Sequence, residues 1–253
     1  MKTSWTKRII AATTWATLAC VMAQEAPPSP PAAPAPDAAS DNPLNSRRAV
    51  LQNPAAWSIP STHIALVNID NSVDADWLES VAQSIEKYVR IPVKVVALEG
   101  KPSNPWEAAQ SVRTQLSDDA KLFVVLARFS PEVGAPPVLS APQNGWAVMD
   151  VAWMEQGGGD KPERLAKQVW RTLGFSIGCG LQSRPQAVMF PATKPEEIDE
   201  ALSNNFHPQN LAVLDMMSQK LGLERIQLKS REELEAMGLL PLRVETSPEG
   251  GKQ

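Results

Sequence analysis

Histidine is nearly missing from this chain: 253 residues contain two, His63 and His207. Neither has a partner at metal-binding spacing, so these two do not make a site built on paired imidazoles. Cysteine is as scarce, with Cys20 and Cys179 alone. That excludes an intrachain disulfide framework and leaves stability to packing. Basic clusters stop at Arg47-Arg48 and the formal net charge is −4, which argues against a nucleic-acid partner.

What the chain does have begins with Lys2, Lys7 and Arg8 ahead of an uncharged, mostly apolar run that closes on small residues near Ala23. This is the pattern of a secretory signal, too short to span a bilayer. Two processing points compete: cleavage after Ala23, giving a signal of residues 1–23, and a lipobox-like Leu18-Ala19-Cys20 in which Cys20 is cleaved and acylated. Export follows from either, to the periplasm or beyond, with a membrane contact only through a lipid on Cys20. Residues 24–60 read as a Pro/Ala-rich linker, because crowded prolines deny the backbone a hydrogen-bond ladder and favour an extended spacer. Residues 61–228 are long enough for one domain with a sizeable core, and 229–253 read as a short helix, capped by Ser230 and Glu233, and a polar tail.

Within the domain, strands and helices alternate. "HIALVNID" from His63 and "VKVVAL" from Val93 have strand length; between them Trp77, Val81, Ile85 and Val89 recur every fourth residue on one helical face. Asn104-Pro105-Trp106-Glu107 starts a second helix, and "KLFVVLA" from Lys121 is a third strand whose near-continuous apolar character suits burial on both faces. The β-α-β-α-β order predicts an α/β fold with a largely parallel sheet. "WAVMDVAW", residues 146–153, reads as a further strand, with Asp150 interrupting its apolar pattern. Asp160, Pro162 and Glu163 then open a helix carrying Leu165, Val169, Leu173 and Ile177 up to Gly178.

That helix ends in "RTLGFSIGCGL", residues 171–181, followed by "AVMF" from Ala187 and "FHPQN" from Phe206. Zinc peptidases of the metzincin clan carry H-E-x-x-H-x-x-G-x-x-H, in which two histidines one turn apart face the same way and a glycine lets the chain bend toward a third. With Gly178 as that glycine, Arg171 stands at the first histidine position, Thr172 at the catalytic glutamate, Phe175 at the second histidine and Leu181 at the third. The archaemetzincin branch continues with four cysteines for a second zinc and a methionine turn; the register runs without a gap through Gln182, Ala187, Met189, His207 and Asn210. The chain thus resembles an archaemetzincin domain that has lost both zinc sites. The resemblance implies a metzincin-like single domain: a mixed, mostly parallel sheet of four to five strands with an antiparallel edge strand, flanked by helices.

The replacements decide the chemistry expected. A hydrolytic zinc needs three protein ligands, an open water position and a base. Arg171 repels a dication, Phe175 and Leu181 offer no lone pair, and Thr172 is no base near neutral pH. No zinc cofactor and no peptidase activity are expected. Arg171, one turn from Phe175, reads either as a cation-π plug of the former pocket or as an ordinary helix-edge arginine. His207 reads as a loop or capping histidine, Cys179 as a small residue at a tight turn, and Met189 as apolar packing beneath the helix.

The function expected is that of an exported pseudopeptidase. In the resemblance, the edge strand bordering the zinc helix pairs with substrate through its backbone. That role falls to Trp146, Ala147, Val148, Met149, Asp150, Val151, Ala152 and Trp153, with an extended peptide or envelope protein as partner. The alternative is an envelope scaffold whose cleft is packed shut by Phe175, Leu181 and Trp170. A residual metallopeptidase ranks below both.

Overall fold

Along His63–Ile69 every residue is buried, and successive side chains enter opposite cores. Ile64 and Leu66 join one apolar cluster, Ala65 and Val67 the other. The same division holds for Leu122, Val124 and Leu126 against Phe123, Val125 and Ala127. A strand covered on both faces has no reason to alternate apolar with polar, which is why both runs read as continuous. The computed structural model describes residues 43–184, 187–202 and 205–240. The expected signal with Cys20, the first part of the linker and the tail from 241 lie outside the described residues.

The elements in order are α1 (Pro43–Gln52), β1 (Trp57–Ser58), β2 (His63–Ile69), α2 (Ala75–Val89), β3 (Val93–Leu98), α3 (Pro105–Gln115), β4 (Ala120–Ala127), β5 (Val138–Ala141), β6 (Trp146–Asp150), α4 (Val151–Met154), α5 (Lys161–Ser176), α6 (Pro208–Leu221), β7 (Gln227–Leu228) and α7 (Arg231–Ala236). The main sheet has the order β3-β2-β4-β6-β5. Its first four strands are parallel and β5 is antiparallel to β6. The fold is therefore the mixed, mostly parallel α/β architecture expected, with five strands. The caps at Asn104, Asp160 and Ser230 are those the sequence announces, each accepting a backbone N–H of the first turn, and Asp74 does the same for α2.

Two expectations are corrected. The assignment of 24–60 to a linker fails for its second half, since α1 is helical and β1 pairs with β7. Val50 and Ala56 are buried with Leu234 of α7, and Trp57, Leu239 and Leu240 pack against them. These apolar residues find their partner only at the far end of the chain. The reading of 146–153 as one edge strand also fails. β6 ends at Asp150 and lies inside the sheet, paired on both sides, while Val151, Ala152 and Trp153 are helical. Asp150 is not facing an open side; it is buried and caps α4, accepting from Ala152 N at 3.0 Å and Phe129 N at 3.3 Å. Burial pushes its carboxyl above the usual range, with these amides pulling the other way. The edge belongs to β5.

Candidate functional site

α5 carries the site and is buried on almost every side, against β4, β5 and β6 beneath and the Pro195–Glu200 turn beside it. Gly174 is the point of closest approach. A Cβ there would overlap Met189 Sδ and come to 2.9 Å from Met189 Cε. Met189, fully buried, packs beneath the helix. Gly174→Ala should destabilise the fold by about 1 kcal/mol, an overpacking penalty centred on roughly 2 kcal/mol reduced by the better helix propensity of alanine, about 1 kcal/mol. Urea unfolding measures this directly; a variant as stable as the parent would show that Met189 moves aside freely.

Arg171, Phe175 and Leu181 do converge, on one cleft of about 440 Å³ between α5 and β5. Pro137, Val138 and Ser140 form one wall, and Trp153, Gln168, Pro191, Ala192, Thr193 and Ile198 complete it. The cleft is not packed shut. Leu181 is 53 % exposed and Phe175 only half-buried, whereas Trp170 faces away, between the rings of Tyr88 and Phe206. The closed cleft of the scaffold reading is corrected accordingly: Phe175 and Leu181 line the cleft without filling it, and Trp170 leaves α5 on another side, so it does not help to close that space. Thr172 is also buried away from the cleft, donating to Gln168 O at 2.8 Å.

Arg171 is buried, with its guanidinium 5.8 Å from the centre of the Phe175 ring. Its Nε donates to Gln168 Oε1 at 3.0 Å, and Nη1 to Val188 O at 2.9 Å and to Phe190 O. The cation-π contact thus exists, but the carbonyls hold the side chain more firmly. Burial lowers its pKa to about 10, so it remains a cation at neutral pH.

The second-zinc counterparts are only partly gathered. Gln182 Nε2 donates to Asn210 Oδ1 at 3.4 Å, an amide pair where the resemblance places two metal-binding thiolates. His207 is the N-cap of α6, accepting from Gln209 N at 3.4 Å, and Ala187 opens a turn in which its carbonyl accepts from Phe190 N at 3.0 Å. Cys179 is buried, its thiol pushed up to about 12, which removes it as a nucleophile. Among the described residues no group of three or more His, Cys, Asp or Glu side chains could hold a metal ion. A guanidinium, a phenyl ring and an isobutyl group at the three ligand positions do not fit zinc.

The sequence reading missed Val138 and Ser140. Asp150 N donates to Pro137 O, and β5 pairs Val138 with Met149 and Ser140 with Ala147. Hydrogen-bonded and non-bonded pairs alternate in an antiparallel ladder, so Val138 and Ser140 aim their N–H and C=O away from β6, at the free edge. The signal available was Pro137 and Pro142 bracketing four residues, an arrangement tolerated only on an edge strand.

A second concavity, of about 430 Å³, lies beyond the carboxyl ends of β2 and β4, where Trp77 and Arg128 face Leu165. Arg128 is spent there: both terminal nitrogens meet Glu155 at 2.6 Å, and Nε and Nη2 also donate to Ser72 O.

Among solved structures, the chain is similar to archaemetzincin from Methanopyrus kandleri, with a TM-score of 0.51 and 17% identity over 64% of this chain and 99% of that one. It also matches a zinc-dependent peptidase from Methanocorpusculum labreanum, with a TM-score of 0.46 and 13% identity over 59% of this chain and 99% of that one. No protein-family model matches the chain, and no curated protein matches it by sequence. The first likeness establishes an archaemetzincin-like fold.

Proposed function

We propose that this archaemetzincin-like chain is an exported, non-catalytic binding module that takes an extended peptide, or an extended segment of an envelope protein, along β5. The observation that carries this reading is the free edge. Val138 and Ser140 each offer an outward donor and acceptor beside an open cleft, and strand addition needs those groups and no metal. The ligand-position side chains support the absence of zinc chemistry, because none of Arg171, Phe175 and Leu181 coordinates a dication. The basic, then apolar, then small-residue order of the first 23 residues supports export.

The test uses the mature chain and the peptide Ac-Thr-Val-Thr-Val-Thr-Val-amide, chosen for its strand propensity. Hydrogen exchange at the Val138 and Ser140 amides should slow on peptide addition, while β6 amides, already paired on both sides, stay unchanged. Ser140→Pro removes one outward donor and should weaken binding about 5- to 10-fold, the worth of roughly one hydrogen bond, with little harm to the fold. Metal analysis of the same sample should find no stoichiometric zinc. Unaltered exchange at β5 with millimolar peptide would sink the reading, and one tightly held zinc per chain would overturn its non-catalytic part.

A further inference from the structure

We infer that the cleft selects a peptide carrying a single carboxylate, which Arg171 binds through Nη2. This rests on strand addition at β5 and specifies what the neighbouring cleft adds to it.

The three cations of α5 that are buried make the case by comparison. Arg164 is paired with Asp199 at 2.5 Å and Lys167 with Glu163 at 2.9 Å. Arg171 is 5 % exposed, and no carboxylate among the described residues forms an ion pair with it. Its Nε and Nη1 hydrogens are taken by neutral oxygens, and Nη2 has no hydrogen bond to any described residue. Arg171 lines the cleft, Nη2 is not among the buried polar atoms that lack a partner, and it is the part of the guanidinium that the described residues leave unspent. The two Nη2 N–H groups diverge and do not make a parallel fork, but either one gives a carboxylate a charge-assisted hydrogen bond from a fixed cation.

The rest of the cleft limits the ligand's charge. Among the described residues lining it Arg171 is the one that is charged, and the walls around it are mainly apolar, through Trp153, Phe175, Leu181, Pro191 and Ala192. One cation neutralises one negative charge; a second, as on a phosphate dianion, would have to be desolvated without compensation. Val138 and Ser140 share the cleft with Arg171, so a strand paired to β5 presents its side chains or its end to the guanidinium. A peptide monocarboxylate, at the chain terminus or on a glutamate, is the ligand these groups recognise.

The experiment is calorimetric titration with three peptides: Ac-Thr-Val-Thr-Val-Thr-Val as free acid, the same sequence as amide, and an amide with glutamate replacing the last valine. The free acid or the glutamate peptide should bind about 10-fold or more tightly than the plain amide, as one charge-assisted contact in a desolvated site allows. Whichever of the two gains identifies the carboxylate as terminal or side-chain. In Arg171→Gln the advantage should fall to about one, and Arg171→Lys should keep part of it. A merely structural arginine would change all three affinities together and leave their ratio intact. Equal affinities in the parent chain overturn this inference, a result that holds even if Arg171→Gln fails to fold, and leave strand addition standing. A carboxylate preference without protection of the Val138 and Ser140 amides overturns strand addition instead.

Discussion

Replacing Asp199 with alanine should cost about 3 kcal/mol or somewhat more, the range expected when one partner of a buried ion pair is removed, and lower the midpoint of thermal unfolding by about 6–12 °C for a domain of this size. Arg164 is the reason. Its side chain is wholly buried, Nε and Nη2 meet the two Asp199 oxygens at 3.0 and 2.5 Å, and the remaining donors reach Gln156 O, Met154 O and Gly158 O. Without the carboxylate a full charge stays in the interior with only carbonyl dipoles to face it. Asp199 itself is about a third exposed, which places the cost toward the lower end. The sign of the double variant is the sharper test. Arg164→Met/Asp199→Ala removes the orphaned charge together with its partner, so it should be more stable than Asp199→Ala alone. If the double variant is the less stable, Arg164 acts through packing and not through its charge. Asp199 belongs to the turn that also brings Ile198 to the cleft, so its loss should weaken peptide binding as well.

Legibility in the sequence followed the range of the forces involved. Caps are local, and Asn104, Asp160 and Ser230 stood where the residue pattern put them. Strands buried on both faces were legible as apolar runs. β5 was hidden because four residues between prolines are too few to show a period; only its pairing with β6 makes it a strand. Asp150 was misread because an aspartate between apolar residues looks the same at an open strand face and at a helix start; the amides of Phe129 and Ala152 decide between them. β1 pairs with a strand at the opposite end of the domain, a contact no local pattern announces. At the site, spacing alone brought Arg171, Phe175 and Leu181 to one cleft. Spacing did not reveal that the arginine would be buried without a carboxylate.

Trp170→Ala should destabilise the chain by about 3–5 kcal/mol, while Phe175→Ala, on the same helix, should cost roughly 1 kcal/mol. The two aromatic residues differ in what surrounds them. Trp170 is among the largest fully buried side chains, set edge-on to Phe206 at 5.1 Å and to Tyr88 at 5.6 Å between ring centres. Tyr88 in turn donates its hydroxyl to Phe206 O at 2.8 Å, so the indole sits in a frame tying α2 to the segment before α6. Truncation leaves a cavity in that frame and forfeits two ring contacts, each worth about 0.5–1.5 kcal/mol beyond area burial. Phe175 is half-buried on the cleft side, in contact with the Arg171 guanidinium, and its removal opens space already continuous with solvent. Chemical denaturation of the two variants gives the contrast directly, and peptide binding should show the reverse order: Phe175→Ala alters the cleft wall, whereas folded Trp170→Ala keeps it. A Phe175→Ala cost of about 3 kcal/mol or more, the range for a truncated core aromatic, would mean that the ring is a core residue and the cleft is closed in solution. That single number would remove the space that both strand addition at β5 and carboxylate binding by Arg171 require.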